Sequence, residues 1–351
     1  MKIKQISHFN NLSDYKLFGL MPDSEEIYSF ELTNKNGMKA QLINYGATVT
    51  SLQVPLSNGT LKDVVLGFDN LESYLESYNL PSAPYFGTTV GRYAGRIKNA
   101  SFVINGTAFQ LPANNNGNTL HGGNFGFGRK VWNVTNMTSG ENPAITFGLL
   151  SEDADENFPG EMHVYITYTL TEENELKLEF KATSTEDTVI NLTHHSYFNL
   201  NGHDKSVLDQ EIFIKSVKML ETDENNIPTG NLTDLTGHAF DFRTPKKCPF
   251  PIDHSFVVNS KIEVIAKLIS SENNLQMSVY TDQPSVHIYV GGNCFGQLKG
   301  KQDAAYHSSS GICFETQNFP DAPNHKNFPN SILKKGEEYT HKTVYRFENI
   351  N

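Results

Sequence analysis

Tryptophan occurs once and cysteine three times in 351 residues. Cys248, Cys294 and Cys313 are scattered, odd in number and never arranged as CxxC. That pattern indicates neither a zinc ribbon nor a disulfide framework, and it suits a reducing compartment such as the cytoplasm. No apolar run approaches membrane-spanning length, so no membrane partner is expected. The N-terminal MKIKQISHFNNLSDYKLF lacks a continuous apolar stretch, and no secretory signal is read there. Positive charge is short as well. The 28 Lys and Arg stand against 39 Asp and Glu, a net charge of −11 at pH 7. So acidic a chain is poorly matched to nucleic acid, an anionic membrane or a phosphorylated substrate, while neutral polyols remain open. A phosphate loop of the G-x-x-x-x-G-K-S/T type is missing, and the Gly-rich GGNFGFG (122–128) opens no helix pattern. Helical periodicity is scarce too. It is clear only after Asp69, where Asp69 and Glu72 form a capping-box pattern and Leu71 and Leu75 stand four apart.

What the chain does have is strand-favouring aromatics, 23 Phe and 15 Tyr, within 38% hydrophobic residues, enough for a packed core. Short alternating runs recur between turns. IYSFELT (27–33) leads through Asn36-Gly37 to MKAQLINYGATVTSLQV (38–54), and Val64-Val65-Leu66 is a further apolar strand. FVI-NG-TAF (102–109) predicts a two-residue hairpin, and HVYITYTL (163–170) with ELKLEFKAT (175–183) predicts a longer one. IFIKSVKML (212–220), LQMSVYT (275–281), SVHIYVGG (285–292) and YTHKTVYRF (339–347) are also extended. This pattern argues for an all-β fold, a sandwich or large antiparallel assembly with very little helix. No linker, charge block or repeat divides the chain, so residues 1–351 are read as a single domain.

The stretch TVINLTHHSYFNLNG (188–202) opens as a strand. With alternating faces, Ile190, Leu192, His194, Ser196 and Phe198 lie on one side, and Val189, Asn191, Thr193, His195 and Tyr197 on the other. The adjacent histidines then cannot clamp one metal. His195 shares its face with Thr193 and Tyr197, a surface able to bind a hydroxylated ligand. An ordinary hydrogen-bonded strand histidine would look the same.

THHSYFNL (193–200) resembles the histidine motif of the aldose 1-epimerases, the galactose mutarotases. Other segments resemble the same family in the same order: INYGATVTSLQVP (43–55), GRYAGRI (91–97) with LHGG (120–123), IDHSFVV (252–258) and FETQNFPDAPN (314–324). The resemblance implies a β-supersandwich and interconversion of the anomers of a free aldose such as galactose or glucose. It places the catalytic histidine on His195 and the acid/base glutamate on Glu315. The sugar-binding residues fall on Arg96 rather than Arg92, on His121 and on Asp253. Two positions depart from the family's pattern. Gly95 stands where Asn is frequent, and His287 stands where Gln is usual.

Mutarotation needs a base at the C1 hydroxyl and an acid at the ring oxygen, with both roles reversed on closing. No cofactor or metal is required. Glu315 is expected as base and His195 as acid, with Tyr197 and His287 beside the sugar. In SVHIYV, Ser285, His287 and Tyr289 form the polar face and Val286, Ile288 and Val290 the apolar one. The partner is a small free sugar, and the protein is expected to be a monomer or weak homodimer. Three other readings stay open: a glycoside hydrolase using Glu315 with Asp253, a non-catalytic sugar-binding sandwich, and a metal hydrolase using His121, His195 and Glu315.

Overall fold

The computed structural model describes residues 15–259 and 263–350. Residues 1–14 of the stretch read for a secretory signal lie outside them. Three antiparallel sheets carry the architecture. Tyr15–Leu20, Glu26–Thr33, Lys39–Ile43, Thr48–Pro55 and Leu61–Asp63 follow one another as a five-stranded meander. A nine-stranded sheet runs, in spatial order, through Asn133–Thr138, Ala144–Ser151, Met162–Leu170, Glu175–Ser184, Glu338–Asn349, Leu275–Thr281, Ala266–Ser270, Glu211–Ile214 and Lys246–Lys247. A six-stranded sheet is ordered Tyr197–Phe198, Ile312–Gln317, Ser285–Val290, Ile252–Val257, Lys218–Thr222 and Pro228–Asp234.

Period-two burial explains why these layers stack. Along Met162–Leu170 the buried residues are Met162, Val164, Ile166, Tyr168 and Leu170, while His163 and Tyr165 face out. That inner face meets Val286, Ile288, Val290, Ile312 and Phe314 of the six-stranded sheet in one continuous core, which also takes in Phe30, Leu32 and Leu42 of the meander. Burying each such side chain contributes about 1.5–3 kcal/mol. The result is the expected all-β supersandwich.

The predicted hairpins form. Asn105 and Gly106 both have positive φ, 51° and 82°, as a type I′ turn requires, between Ser101–Ile104 and Thr107–Gln110. Met162–Leu170 pairs with Glu175–Ser184 along its whole length.

Four details differ from the sequence reading. The helix Leu71–Ser77 (α1) is capped by Asn70, whose side chain accepts from the Ser73 N–H. Asp69 instead accepts from the Gln302 N–H at 3.2 Å, a long-range bond that spacing could not reveal. The strand near Val64 is Leu61–Asp63, and Val65 makes only an isolated bridge to Phe198. IFIKSVKML splits between two sheets: Glu211–Ile214 belongs to the nine-stranded one and Lys218–Thr222 to the six-stranded one. Lastly, 188–202 is not one strand. Thr188–Val189, Thr193–His194 and Tyr197–Phe198 pair in turn with Ile332–Leu333, Thr89–Val90 and Ile312–Gln317. A segment crossing between three partners cannot keep one ladder, although every residue of it is buried.

Candidate active site

The six-stranded sheet presents its second face to a pocket of about 330 Å3. Alternation decides which side chains reach it. On Ile252–Val257 these are Asp253 and Ser255, on Ser285–Val290 His287 and Tyr289, and on Ile312–Gln317 Glu315 and Gln317. Registry lines them up, with Ser255 opposite His287 and His287 opposite Glu315. Glu315 sits inside its strand, fourth of six residues.

His195 and His194 point opposite ways, as expected. His194 faces the core, with Nε2 2.7 Å from Ser196 Oγ and Nδ1 3.4 Å from Tyr168 Oη. Burial, then the neighbouring His195, pushes its pKa down to about 3. His195 lines the pocket, its backbone pinned by the Thr88 carbonyl and the Gly87 N–H. Its Nε2 lies 3.5 Å from Glu315 Oε1 and its Nδ1 3.6 Å from Cys313 Sγ. The ring stacks on Tyr197 at 5.3 Å between centroids. Histidine and glutamate are only 4% and 2% exposed, so they interact with little screening. Burial lowers the His195 pKa, and the Glu315 charge opposes that shift. Thr193 is not at the pocket; its hydroxyl donates to the Thr316 carbonyl.

Arg96 and His121 reach the opposite wall together, because Leu120 pairs with Arg96 across a two-residue ladder. The Gly95 N–H donates to His121 Nδ1 at 3.3 Å, and the His121 N–H donates to the Gly95 carbonyl. Gly122 is required beside it, since a Cβ there would lie 2.0 Å from the Gly91 carbonyl oxygen. Burial, then His195, Arg96 and His287, holds the His121 pKa well below its usual value. Arg96 Nη2 is 3.8 Å from Asp253 Oδ2, and Nε donates to Asn115 Oδ1. Arg92 is elsewhere and structural: its buried guanidinium donates to Ser151 Oγ and to the Ser151, Glu152, Phe158 and Pro159 carbonyls.

A family model described as aldose 1-epimerase matches residues 28–346. A galactose mutarotase from Mus musculus is 38% identical over 343 residues, spanning 94% of this chain and 97% of that protein. The chain belongs to the aldose 1-epimerase family. An aldose 1-epimerase from Escherichia coli K12 is 32% identical, over 93% of this chain and 97% of that one. Among solved structures, an aldose epimerase homologue from C. elegans superposes with a TM-score of 0.84 at 30% identity, covering 92% of this chain and 99% of that one. A galactose 1-epimerase from Lactobacillus acidophilus gives 0.82 at 25% identity, covering 96% and 99%.

In this aldose 1-epimerase family member, one nitrogen each of His121 and His195 and one Glu315 oxygen lie within 4.8 Å of one another, close enough to consider as a metal group. The donor chemistry does not fit. Because the Gly95 N–H donates to His121 Nδ1, the neutral ring carries its proton on Nε2 and offers a metal no free lone pair. Metal-binding histidines show the reverse, with the second nitrogen donating.

Asp253 accepts from Asn226 Nδ2 at 2.9 Å and pairs with His287 Nε2 at 2.8 Å. Burial works against its charge, but His287 and Arg96 hold its pKa well below the usual carboxylate range. His287 also contacts Ser255 Oγ through Nδ1 at 2.8 Å, so both ring nitrogens are engaged. Gly95 has φ +75°, and a Cβ there would meet Pro320 at 2.9 Å, so any side chain requires that ring to shift. Sequence reasoning missed Ser255, Gln317 and Asn226. Alternation from Asp253 and Glu315 could have found the first two. Nothing local marks Asn226, which arrives from a loop. Gln317 Oε1 is buried without a hydrogen-bond partner among the described residues, leaving an acceptor open.

Proposed function

We propose that this protein interconverts the α and β anomers of free hexoses such as galactose and glucose, with Glu315 as base and His195 as acid. The observation that carries this reading is the His195–Glu315 contact of 3.5 Å on the pocket wall of an aldose 1-epimerase family member. Glu315 takes the proton of the C1 hydroxyl while the His195 imidazolium protonates the ring oxygen, and the C1–ring oxygen bond breaks. Rotation about C1–C2 presents the other carbonyl face. Ring closure returns both protons, so neither residue changes over the cycle. Arg96, His121, Asp253 and Tyr197 bind the sugar and limit it to reactive poses, and Gln317 accepts from one hydroxyl. Asp253 has both oxygens engaged and is held ionised, which suits recognition better than nucleophilic attack on a glycoside.

Polarimetry of freshly dissolved α-galactose and α-glucose tests the reading. An accelerated change in rotation is expected, and an unchanged rate with both sugars would overturn it. The pH profile tests the acid. His195 must be protonated, and burial lowers its pKa, so kcat/KM should fall on the alkaline side below the ordinary histidine value of about 6.5. A kcat/KM that holds its maximum through that value, with its first alkaline fall only above it, would remove His195 from the role.

The reading extends to a cytoplasmic protein working as a monomer or weak homodimer. Support for the compartment is that all three cysteines are free and buried. A disulfide-linked species on a non-reducing gel would contradict it. Among the described residues, no helix is long and apolar enough to cross a membrane.

A further inference from the structure

His287 stands at the centre of the pocket wall with both ring nitrogens occupied. Nε2 meets Asp253 Oδ1 and Nδ1 meets Ser255 Oγ, each at 2.8 Å. Asp253 Oδ2 is held from the other side by Asn226 and, at 3.8 Å, by Arg96. The His287 side chain is 16% exposed and that of Asp253 27%, so the carboxylate is the member of the pair more open to a ligand. The charged and titratable groups around His287 are Asp253 and His254 on one neighbouring strand, Glu315 on the other, and Arg96, His121 and His195 across the pocket.

We propose that His287 is a positioning residue whose imidazolium clamps Asp253 in the pose that receives a sugar hydroxyl, and whose deprotonation loosens that clamp. The sugar in this inference rests on the mutarotase reading; the clamp does not. Burial works against protonation of His287, but the Asp253 hydrogen bond and the charges of Asp253 and Glu315 outweigh it and raise its pKa. The imidazolium therefore persists above the usual histidine range. A bond to a charged donor is roughly twice as strong as a neutral one. Losing the charged form weakens sugar binding by about fivefold, the equivalent of one neutral hydrogen bond. KM is lower below the His287 pKa and rises as pH climbs through it. A glutamine here can still donate to Asp253 but cannot titrate.

Nitrogen-15 NMR of the imidazoles, with the His287 signal assigned by its loss in His287→Gln, reads the clamp without any sugar. His287 in the unmodified protein should titrate above the ordinary histidine value, and in Asp253→Asn its pKa should fall. Titration at or below the ordinary value in the unmodified protein overturns the proposal, as does an unchanged titration in Asp253→Asn that retains a normal thermal melt. Kinetics read the consequence. The unmodified enzyme should show an approximately fivefold step in KM for galactose across the His287 pKa, and His287→Gln should lack that step while keeping kcat within a few-fold. The same step in both proteins would also overturn the proposal. If the unmodified protein does not mutarotate any sugar, the functional reading fails, and the NMR arm still decides whether the clamp exists.

Discussion

On Ile312–Gln317, Ile312 and Phe314 turn to the core while Glu315 and Gln317 turn to the pocket. The neighbouring Ser285–Val290 divides the same way, with Val286, Ile288 and Val290 against His287 and Tyr289. His194 and His195 repeat the division outside a regular strand. One face of the six-stranded sheet is dry, close-packed and held by the nine-stranded sheet. The other carries titratable groups at fixed separations. The shared backbone sets the spacing of the reacting side chains, while the packing beneath it supplies the stability of the layer.

The separation of the two faces can be broken most visibly at Phe314. Phe314→Ala should cost about 3–5 kcal/mol of stability in denaturant melts, with turnover of the folded fraction within a few-fold of the parent. Lost turnover at unchanged stability would mean that the two faces are not independent. On the opposite face, Glu315→Gln and His195→Asn should each lower kcat at least about a hundredfold by polarimetry, close to 2.7 kcal/mol of barrier, with little change in melting temperature. Near-parental turnover in either variant removes that residue from the mechanism.

A smaller effect separates the two histidines. His194 is buried neutral with a pKa of about 3, whereas an unfolded histidine titrates near 6.5. Between those values the unfolded state binds the extra proton, so stability falls as pH falls, by up to about 1.4 kcal/mol per pH unit. His194→Gln should flatten the dependence of melting temperature on pH across that window. An unchanged slope would assign the acid sensitivity to other groups. The smallest expected effect is none. Exhaustive chelation should leave mutarotation intact, because His121 has its Nδ1 lone pair occupied by the Gly95 N–H. Loss on chelation with recovery on added zinc would reinstate the metal reading.

Much of this was legible along the chain. Alternation predicted the apolar and polar sides of SVHIYV, and Asn-Gly predicted the 105–106 turn. These are local signals, governed by strand pleat and by which residues tolerate positive φ. The ordered motifs pointed to the family, and the comparisons show it. Reasoning failed where a segment changes partner. Strand propensity ran straight through 188–202 and 212–220, because nothing local records that successive residues pair with different sheets. His287 was expected to meet a sugar hydroxyl. Its face was read correctly, but its partners Asp253 and Ser255 lie more than thirty residues away.

The sequence by itself determined the all-β class, the inward and outward sides of the long strands, the family and the residues expected to carry its chemistry. Those follow from composition, from a period of two and from motifs in order, none of which needs a third dimension. Only the tertiary structure decided which atoms meet. It set Glu315 against His195, buried Arg92 among carbonyls while leaving Arg96 at the pocket, and gave His287 to Asp253 rather than to open space. Hydrogen bonds reach only about 3 Å, and the chain brings distant residues that close only after its sheets have chosen their neighbours.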